Sequence, residues 1–506
     1  MEKENKLESD IIFEKYTKDN VSYNKLMLSL FQDLKGKNFI FNKTKKTKKD
    51  LIKNMEKNIN NLVKHIKELD ENEFIEIYRC LSCIFGAFLG DAIGAYCEFK
   101  KPSKQNINNI FKGNPMFGDS PGQVTDDSEM AMSSGYAIME NKKLELDSNY
   151  LYYFYGLWHM SMPKDEGITT RKALFHFTKV DHNKFNLSNN NYNDIFKDIE
   201  KNNKKSLANG FLMRTSPIIV YLYFKLKNQI ALAFDKKDEK ELEDELYSLF
   251  VVIKSEVHKD EICTHPNESI CISHSIFCIM SLGAIYGLTP IQIINNIKSL
   301  LKNEFFNGTN DYGIKDIIME ELNSYEKDKS LCLFDKGYNY FTDGNKKVSN
   351  HMGYYVHAFR LTLYYLFFFD KINKEEKYTK YRVIMNQICS FGGDTDTNAA
   401  IVGTVIGPLI GYKNFGDEEF LKMVKLVPIG RFIYSPALMI IYVYFIKNNI
   451  NNDNQKGNYF LRIILKLLYD DIDFAHIFNN KNENVNAENN IKKEENKNKK
   501  NSKNKK

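Results

Sequence analysis

Two short acidic segments, far apart in the chain, hold residues able to do chemistry. One is Val124-Thr125-Asp126-Asp127-Ser128-Glu129 and the other is Gly392-Gly393-Asp394-Thr395-Asp396-Thr397. Thr125 suits a helix N-cap, and two aspartates in a first helical turn are favoured by the helix dipole, so capping alone would account for the first segment. The same carboxylates are hard oxygen ligands of the kind magnesium takes. The second segment resists a surface explanation. Asp394, Asp396 and Thr397 stand between Ile388 and the apolar Ile401, Val402 and Ile406, and a carboxylate in such surroundings needs a partner or a metal. Two oxygen-rich clusters, each at a helix start, can converge from different helices and hold two ions about 4 Å apart.

Two further segments read as their supports. In Gly86-Ala-Phe-Leu-Gly90-Asp91-Ala-Ile-Gly94-Ala-Tyr-Cys-Glu98 the glycines recur every four residues. Each costs about 1 kcal/mol in a helix relative to alanine, so a stripe of them implies close approach of a second backbone. Seven residues apart, Asp91 and Glu98 are expected on nearly one face, roughly 10 Å apart along the axis; packing with solvated carboxylates explains this helix equally well. Ser206-Leu-Ala-Asn209-Gly210-Phe-Leu-Met-Arg214 reads as a turn whose backbone N–H groups can meet a phosphate. The apolar segments between show helical spacing, as in Leu361, Tyr364, Tyr365 and Phe368, and no two-residue alternation bounded by hairpin turns. The expected fold class is all-α.

Taken in order, G-x-x-x-G-D-A-x-G-x-x-x-E, T-D-D, N-G-x-x-M-R-x-x-P and G-G-D-T-D-T-x-A-A, these segments resemble the ADP-ribosylglycohydrolase family, from Phe85 to about Gly411 with an extension to Pro436. Pro163-Lys-Asp165-Glu-Gly167, Thr264-His265-Pro266-Asn267 and Gly353-Tyr-Tyr-Val-His-Ala-Phe-Arg-Leu are similar to further family segments. The resemblance implies a compact orthogonal bundle of helices around a metal-lined cleft. It implies two Mg2+ ions, with Mn2+ as the other fitting cation, held by Thr125, Asp126, Asp127, Asp394, Asp396 and Thr397. It also implies cleavage of the bond joining ADP-ribose to a protein side chain, with Glu98, Asp126 or Asp127 taking the proton from water. Asp165, Asn209, Gly210 and His265 would bind substrate. Asp165 matches an aspartate of the arginine-directed members, which favours arginine as leaving group; the competing reading has it capping the helix that starts at Ile168.

Composition narrows the other classes. Hydrophobic residues make up 43% of the chain, enough for a large core. Of the formal +6 charge, +5 sits in residues 481–506, so the body is nearly neutral and no basic face argues for nucleic acid. The expected organisation is a Lys/Asn-rich leader over 1–75, helical in patches such as Leu51–Leu69 or partly disordered, one domain over 76–478 with Asn-rich surface insertions or partly disordered loops near 181–205 and 307–350, and a disordered basic tail over 479–506. Gly353–Phe369 carries His357 and Arg360, and Phe432–Phe445 contains Pro436, so neither reads as a membrane span. A monomer in the cytoplasm is expected, with the tail as a nuclear signal the alternative. The Cys263, His265, Cys271, His274, Cys278 run lacks paired C-x-x-C spacing and reads as buried helix rather than a zinc knuckle. Two rivals remain: a family member that binds ADP-ribose without turnover, and an isoprenoid-diphosphate enzyme, whose second acidic motif GGDTDT does not match.

Overall fold

Where the first glycine helix, Ile75–Gly94, crosses the helix Thr395–Ile410, there is no room for a side chain on either. A Cβ on Gly86 would lie 2.3 Å from the carbonyl oxygen of Gly403, and one on Gly90 would lie 2.4 Å from that of Ala399. One on Gly94 would lie 2.4 Å from Cα of Asp396. The relation is mutual, since a Cβ on Gly403 would meet the Gly86 carbonyl at 2.2 Å and one on Gly407 that of Ser82 at 2.2 Å. Side-chain hydroxyls complete the joint: Tyr381 donates to the Gly86 carbonyl, and Thr395 Oγ1 donates to the Gly94 carbonyl at 2.8 Å.

This computed structural model describes residues 7–470 except 19, 32–46, 105–110, 181–191, 308–311, 373–377, 429–430, 451–458, together with Ile472. Those residues hold 21 α-helices and no strand, only an isolated bridge between Ala208 and Tyr354. The class is all-α, as the spacing predicts. The described residues up to Asp470 form one compact unit. Two of its helices, Ile75–Cys97 and Glu268–Tyr286, are long and apolar enough to cross a membrane by composition. Both were passed over by the sequence reading of membrane spans, and both are core helices here, 94% and 89% buried.

The helical patch expected in the Lys/Asn-rich leader over Leu51–Leu69 is the helix Lys48–Glu68. Lys48–Glu68 starts with a capping box, Thr47 Oγ1 accepting from Asp50 N while Asp50 accepts from Thr47 N. Its Asn54 and Asn58 donate to the last carbonyls of the C-terminal helix Tyr459–Tyr469 and its cap, at 2.8–3.3 Å. Leu51, Met55, Leu62 and Ile66 are fully buried beside them. The Asn-rich stretch 307–350 likewise contains the helices Ile314–Lys327 and Phe334–Thr342, which bury Tyr325 and Phe341. Within 181–205 the described part is the helix Asn193–Asn203, and its last residue donates to the carbonyls of Thr169 and Thr264. Residues 181–191 and the basic tail 479–506 lie outside the described residues.

The crossing yields a contrast in sign. Gly86→Ala should lose about 1–3 kcal/mol by forcing the two backbones apart. Gly135 on another buried helix meets its nearest neighbour at an ordinary 3.4 Å, so Gly135→Ala should instead gain up to about 1 kcal/mol of helix propensity. Denaturant unfolding of the two variants checks this; equal responses would mean the crossing is not tight.

Candidate active site

The end of the crossing that carries Asp91 and Asp396 opens onto a cavity of about 550 Å³. Asp91 is fully buried one residue after Gly90, and its carboxylate accepts from Thr125 N at 3.0 Å, Ser128 N at 3.3 Å and Ser128 Oγ at 2.5 Å. It therefore caps the helix Asp126–Glu140 from another part of the chain. Thr125 stands at the N-cap position, but its hydroxyl makes no cap bond; it donates to Asp127 Oδ2 at 3.1 Å. Capping accordingly does not explain Thr125.

Glu98 arrives differently from the helical-face expectation. The glycine helix ends at Gly94, a 3-10 turn runs over Ala95–Cys97, and Glu98 lies beyond it in a turn closed by Lys100 N donating to the Cys97 carbonyl at 3.1 Å. The segment that follows pairs with the glycine turn of the second acidic cluster: Phe99 N donates to the Gly393 carbonyl at 2.8 Å, and Gly393 N to the Lys100 carbonyl at 3.1 Å. Gly392 and Gly393 have φ of +67° and +81°, and a Cβ on Gly392 would meet the Lys100 carbonyl at 2.5 Å. Only glycine meets both demands. Phe99 itself has φ of +58°, a strained conformation beside the cleft. Asn114 Nδ2 holds Glu98 by donating to its Oε2 at 2.6 Å.

Two triads of carboxylates result, and they share a member. Ligand oxygens of Asp91, Asp127 and Asp396 lie within 4.8 Å of one another, as do those of Glu98, Asp394 and Asp396. An octahedral Mg2+ shell with bonds of about 2.1 Å spans about 4.2 Å across, so each triad has the dimensions of one ion's surroundings. Burial, followed by the neighbouring carboxylates, Asp165 for Asp126, Asp91 for Asp127 and Glu98 for Asp396, pushes all three well above the usual carboxylate range. Glu98 is raised to about 9 by burial and then by Asp394, Asp165 and Asp126, and burial alone outweighs four hydrogen bonds to raise Asp91 to about 6. Two like charges 4 Å apart repel by about 4 kcal/mol at an effective dielectric of 20. The protein has built a site that its own residues do not neutralise, and the buried Asp127 Oδ1 has no hydrogen-bond partner.

Of the residues singled out in the sequence, Glu98, Asp126, Asp127, Asp394, Asp396 and Thr397 line the cavity; Thr125 faces a smaller one that shares Asp126. Asp165, Asn209, Gly210 and His265 form another part of its wall. Asn209 Nδ2 donates to Asp394 Oδ2 at 2.7 Å, tying this wall to the carboxylates. Its backbone N–H is already given to the Gly353 carbonyl at 2.8 Å, and those of Ser206 and Ala208 also have acceptors, so these three are not open to a phosphate. Asp165 is no helix cap: the helix Ile168–Leu174 starts at Gly167 without a side-chain cap, and Asp165 Oδ1 accepts only from the next residue's N–H, at 2.8 Å. Glu166 anchors that loop through His159 at 2.6 Å and Arg171 at 3.1 Å. His265 is fully buried and held neutral by burial and by Arg214 and His274; its Nδ1 meets Thr264 Oγ1 at 2.7 Å and its Nε2 has no partner.

Residues 75–425 match the ADP-ribosylglycohydrolase family. The chain belongs to that family. It is 27% identical over 363 residues to a protein of Acanthamoeba polyphaga mimivirus whose name describes an ADP-ribosyl glycohydrolase, covering 67% of this chain and 88% of that one. It is 32% identical over 100 residues to the ADP-ribosyl-[dinitrogen reductase] glycohydrolase of Rhodospirillum rubrum, covering 19% of this chain and 33% of that one. A solved ADP-ribosylglycohydrolase-related protein complex is similar at a TM-score of 0.45 and 17% identity, over 74% of this chain and 99% of that one.

Sequence reasoning about this family member missed two supports. Asp91 was legible as a carboxylate sharing a face with Glu98, but its part in holding the start of the T-D-D helix was not. Glu129, quoted with the T-D-D segment, turns away from the cleft to a buried pair with Arg431, whose Nε donates at 2.7 Å; Trp158 Nε1 donates to the same carboxylate at 2.9 Å. Arg431 also donates to Ser161 Oγ at 2.9 Å, which joins the T-D-D helix to the chain entering the Asp165 loop. No local signal links residues 302 positions apart. Arg431→Met strands the Glu129 carboxylate and should cost about 3–5 kcal/mol, part of it recovered in the Glu129→Gln/Arg431→Met double variant. Urea unfolding of the three proteins tests the pair; a loss under 1 kcal/mol in Arg431→Met would remove Arg431 from the scaffold of the site.

Proposed function

We propose that this ADP-ribosylglycohydrolase cleaves the N-glycosidic bond between ADP-ribose and arginine side chains of proteins, with two Mg2+ ions in the acidic cleft. The observation that carries the reading is the pair of carboxylate triads sharing Asp396. The donor set fits magnesium: all are hard oxygens, Asp127 Oδ1 is buried without a partner, and the clustered charge calls for a cation. Asp127 and Asp91 with Asp396 would hold one ion, and Asp394 and Glu98 with Asp396 the other. Of the other ligands that the family resemblance implies, Asp126 and Thr397 line the same cavity and Thr125 donates to Asp127, while Asp126 belongs to neither triad. Bound Mg2+ would supply orientation of the ribose hydroxyls and polarisation of the attacking water.

The remaining work falls to the chain. Departure of the leaving group builds oxocarbenium character at the anomeric carbon, and the carboxylate-rich wall favours that charge. Glu98, Asp126 and Asp127 all reach the cavity as acceptors for the water's proton. Asp165, half-buried at the wall and free of a capping duty, suits a guanidinium through charge-assisted hydrogen bonds. His265 offers its unpartnered Nε2 beside Gly210, where a substrate hydroxyl or phosphate oxygen would find a donor or acceptor.

Release of ADP-ribose from arginine- and serine-modified proteins, assayed side by side, tests the substrate. Release from arginine is expected, and Asp165→Ala should depress it with little change in Tm; a parent enzyme active only on the serine linkage would overturn the arginine reading. Binding of ADP-ribose without any release would favour the non-catalytic alternative. Glu98→Gln should lower kcat by about 10²–10⁴-fold with little loss of ADP-ribose affinity.

Asp396→Asn should abolish turnover and cancel stabilisation by added Mg2+. Because it also relieves carboxylate repulsion, the metal-free variant should melt no lower than the metal-free parent. Thermal melts with and without Mg2+ check both parts, and a variant still stabilised by Mg2+ would contradict the shared-ligand role.

A further inference from the structure

Two long helices, Glu239–Glu261 and Glu268–Tyr286, pack together, and the turn between them carries His265 to the cleft wall. Outside that cleft, three side chains of metal-ligating type converge on this pair. His258 and Glu261 stand one turn apart on the first helix, and Cys271 lies on the second; a ring nitrogen, a carboxylate oxygen and the sulfur are all within 4.8 Å of one another. His258 is exposed, whereas Glu261 and Cys271 are buried. The Cys/His run weighed from the sequence supplies only Cys271, and the other two members come from the preceding helix.

A second observation points to a ligand. Glu261 is fully buried, yet its Oε2 has no hydrogen-bond partner; its Oε1 lies 2.9 Å from His274 Nδ1. A buried orphan of this kind opposes folding unless something else satisfies it. The Cys271 thiol lies against the Glu261 carboxylate and otherwise reaches the Lys254 carbonyl at a long 3.7 Å. The nearby cation Lys254 is paired with Glu268 at 2.5 Å.

We propose that His258, Glu261 and Cys271 form a zinc site separate from the acidic cleft, clamping the two helices that present His265. Imidazole, carboxylate and thiolate occupy three positions of a tetrahedral ion, and water reaches the fourth from the exposed His258 side. Thiolate and carboxylate together balance the 2+ charge. Binding displaces the Cys271 thiol proton and the Glu261 carboxyl proton, both of which burial retains in the metal-free protein. His274 then orients the Glu261 carboxylate from behind, its other nitrogen lying 2.8 Å from Thr215 Oγ1.

Co2+ added to the chelator-stripped full chain is the probe, because a thiolate ligand produces a near-ultraviolet charge-transfer band that oxygen ligands do not. The band is expected in the parent and in Asp396→Asn, with displacement of the cobalt by Zn2+, and it should vanish in Cys271→Ser. His258→Ala changes an exposed residue and should weaken cobalt affinity by about tenfold or more without unfolding the protein. Absence of the band in the parent, its full strength in Cys271→Ser, or unchanged cobalt affinity in His258→Ala would each overturn the site.

Discussion

Backbone lies against backbone where Gly86, Gly90 and Gly94 meet Gly403, Ala399 and Asp396, and the placing of the cleft carboxylates follows from that contact. Any side chain in the seam would hold Asp91 and Asp396 further apart than a shared ion allows. The Thr395 hydroxyl on the Gly94 carbonyl sets the height of one helix against the other. From there the order of dependence is short: Asp91 caps the T-D-D helix and draws Asp127 in, while the Gly392–Gly393 turn pairs with Phe99–Lys100 and draws Glu98 in.

The interior so formed stores electrostatic work. The buried carboxyl groups of Asp91, Asp127, Asp396 and Glu98 and the half-buried one of Asp126 are all shifted toward their protonated forms, with desolvation the leading cause. Such a cluster opposes the stability of the chain by itself, and the surrounding scaffold offsets it with neutralised pairs kept out of the cleft. Arg431 answers Glu129, and Arg214 answers Asp260 at 2.9 Å in a fully buried pair stacked on Tyr155. The cations are spent on the frame, and none of these arginines is left to neutralise the cleft.

Much of this was legible from local pattern. Four-residue glycine spacing implied a close helix crossing, and the apolar periodicity implied an all-helical fold. The T-D-D and G-G-D-T-D-T segments named the carboxylates that meet. What local pattern could not show was where elements end. Glu98 was expected on the glycine helix, but that helix stops at Gly94 because its final carbonyl is taken by Thr395, about 300 positions on. Leader and Asn-rich stretches read as polar additions because asparagine is ambiguous in sequence; Asn54, Asn58 and Asn203 each spend their amides on carbonyls of distant helices and turns.

The shared position of Asp396 is the centre of the account, and anomalous scattering from crystals of the full chain grown with Mn2+ tests it most directly. Two manganese peaks about 4 Å apart are expected, with Asp396 oxygens bound to both, Asp127 on one side and Asp394 on the other. A single peak, or two that do not share Asp396, would contradict it.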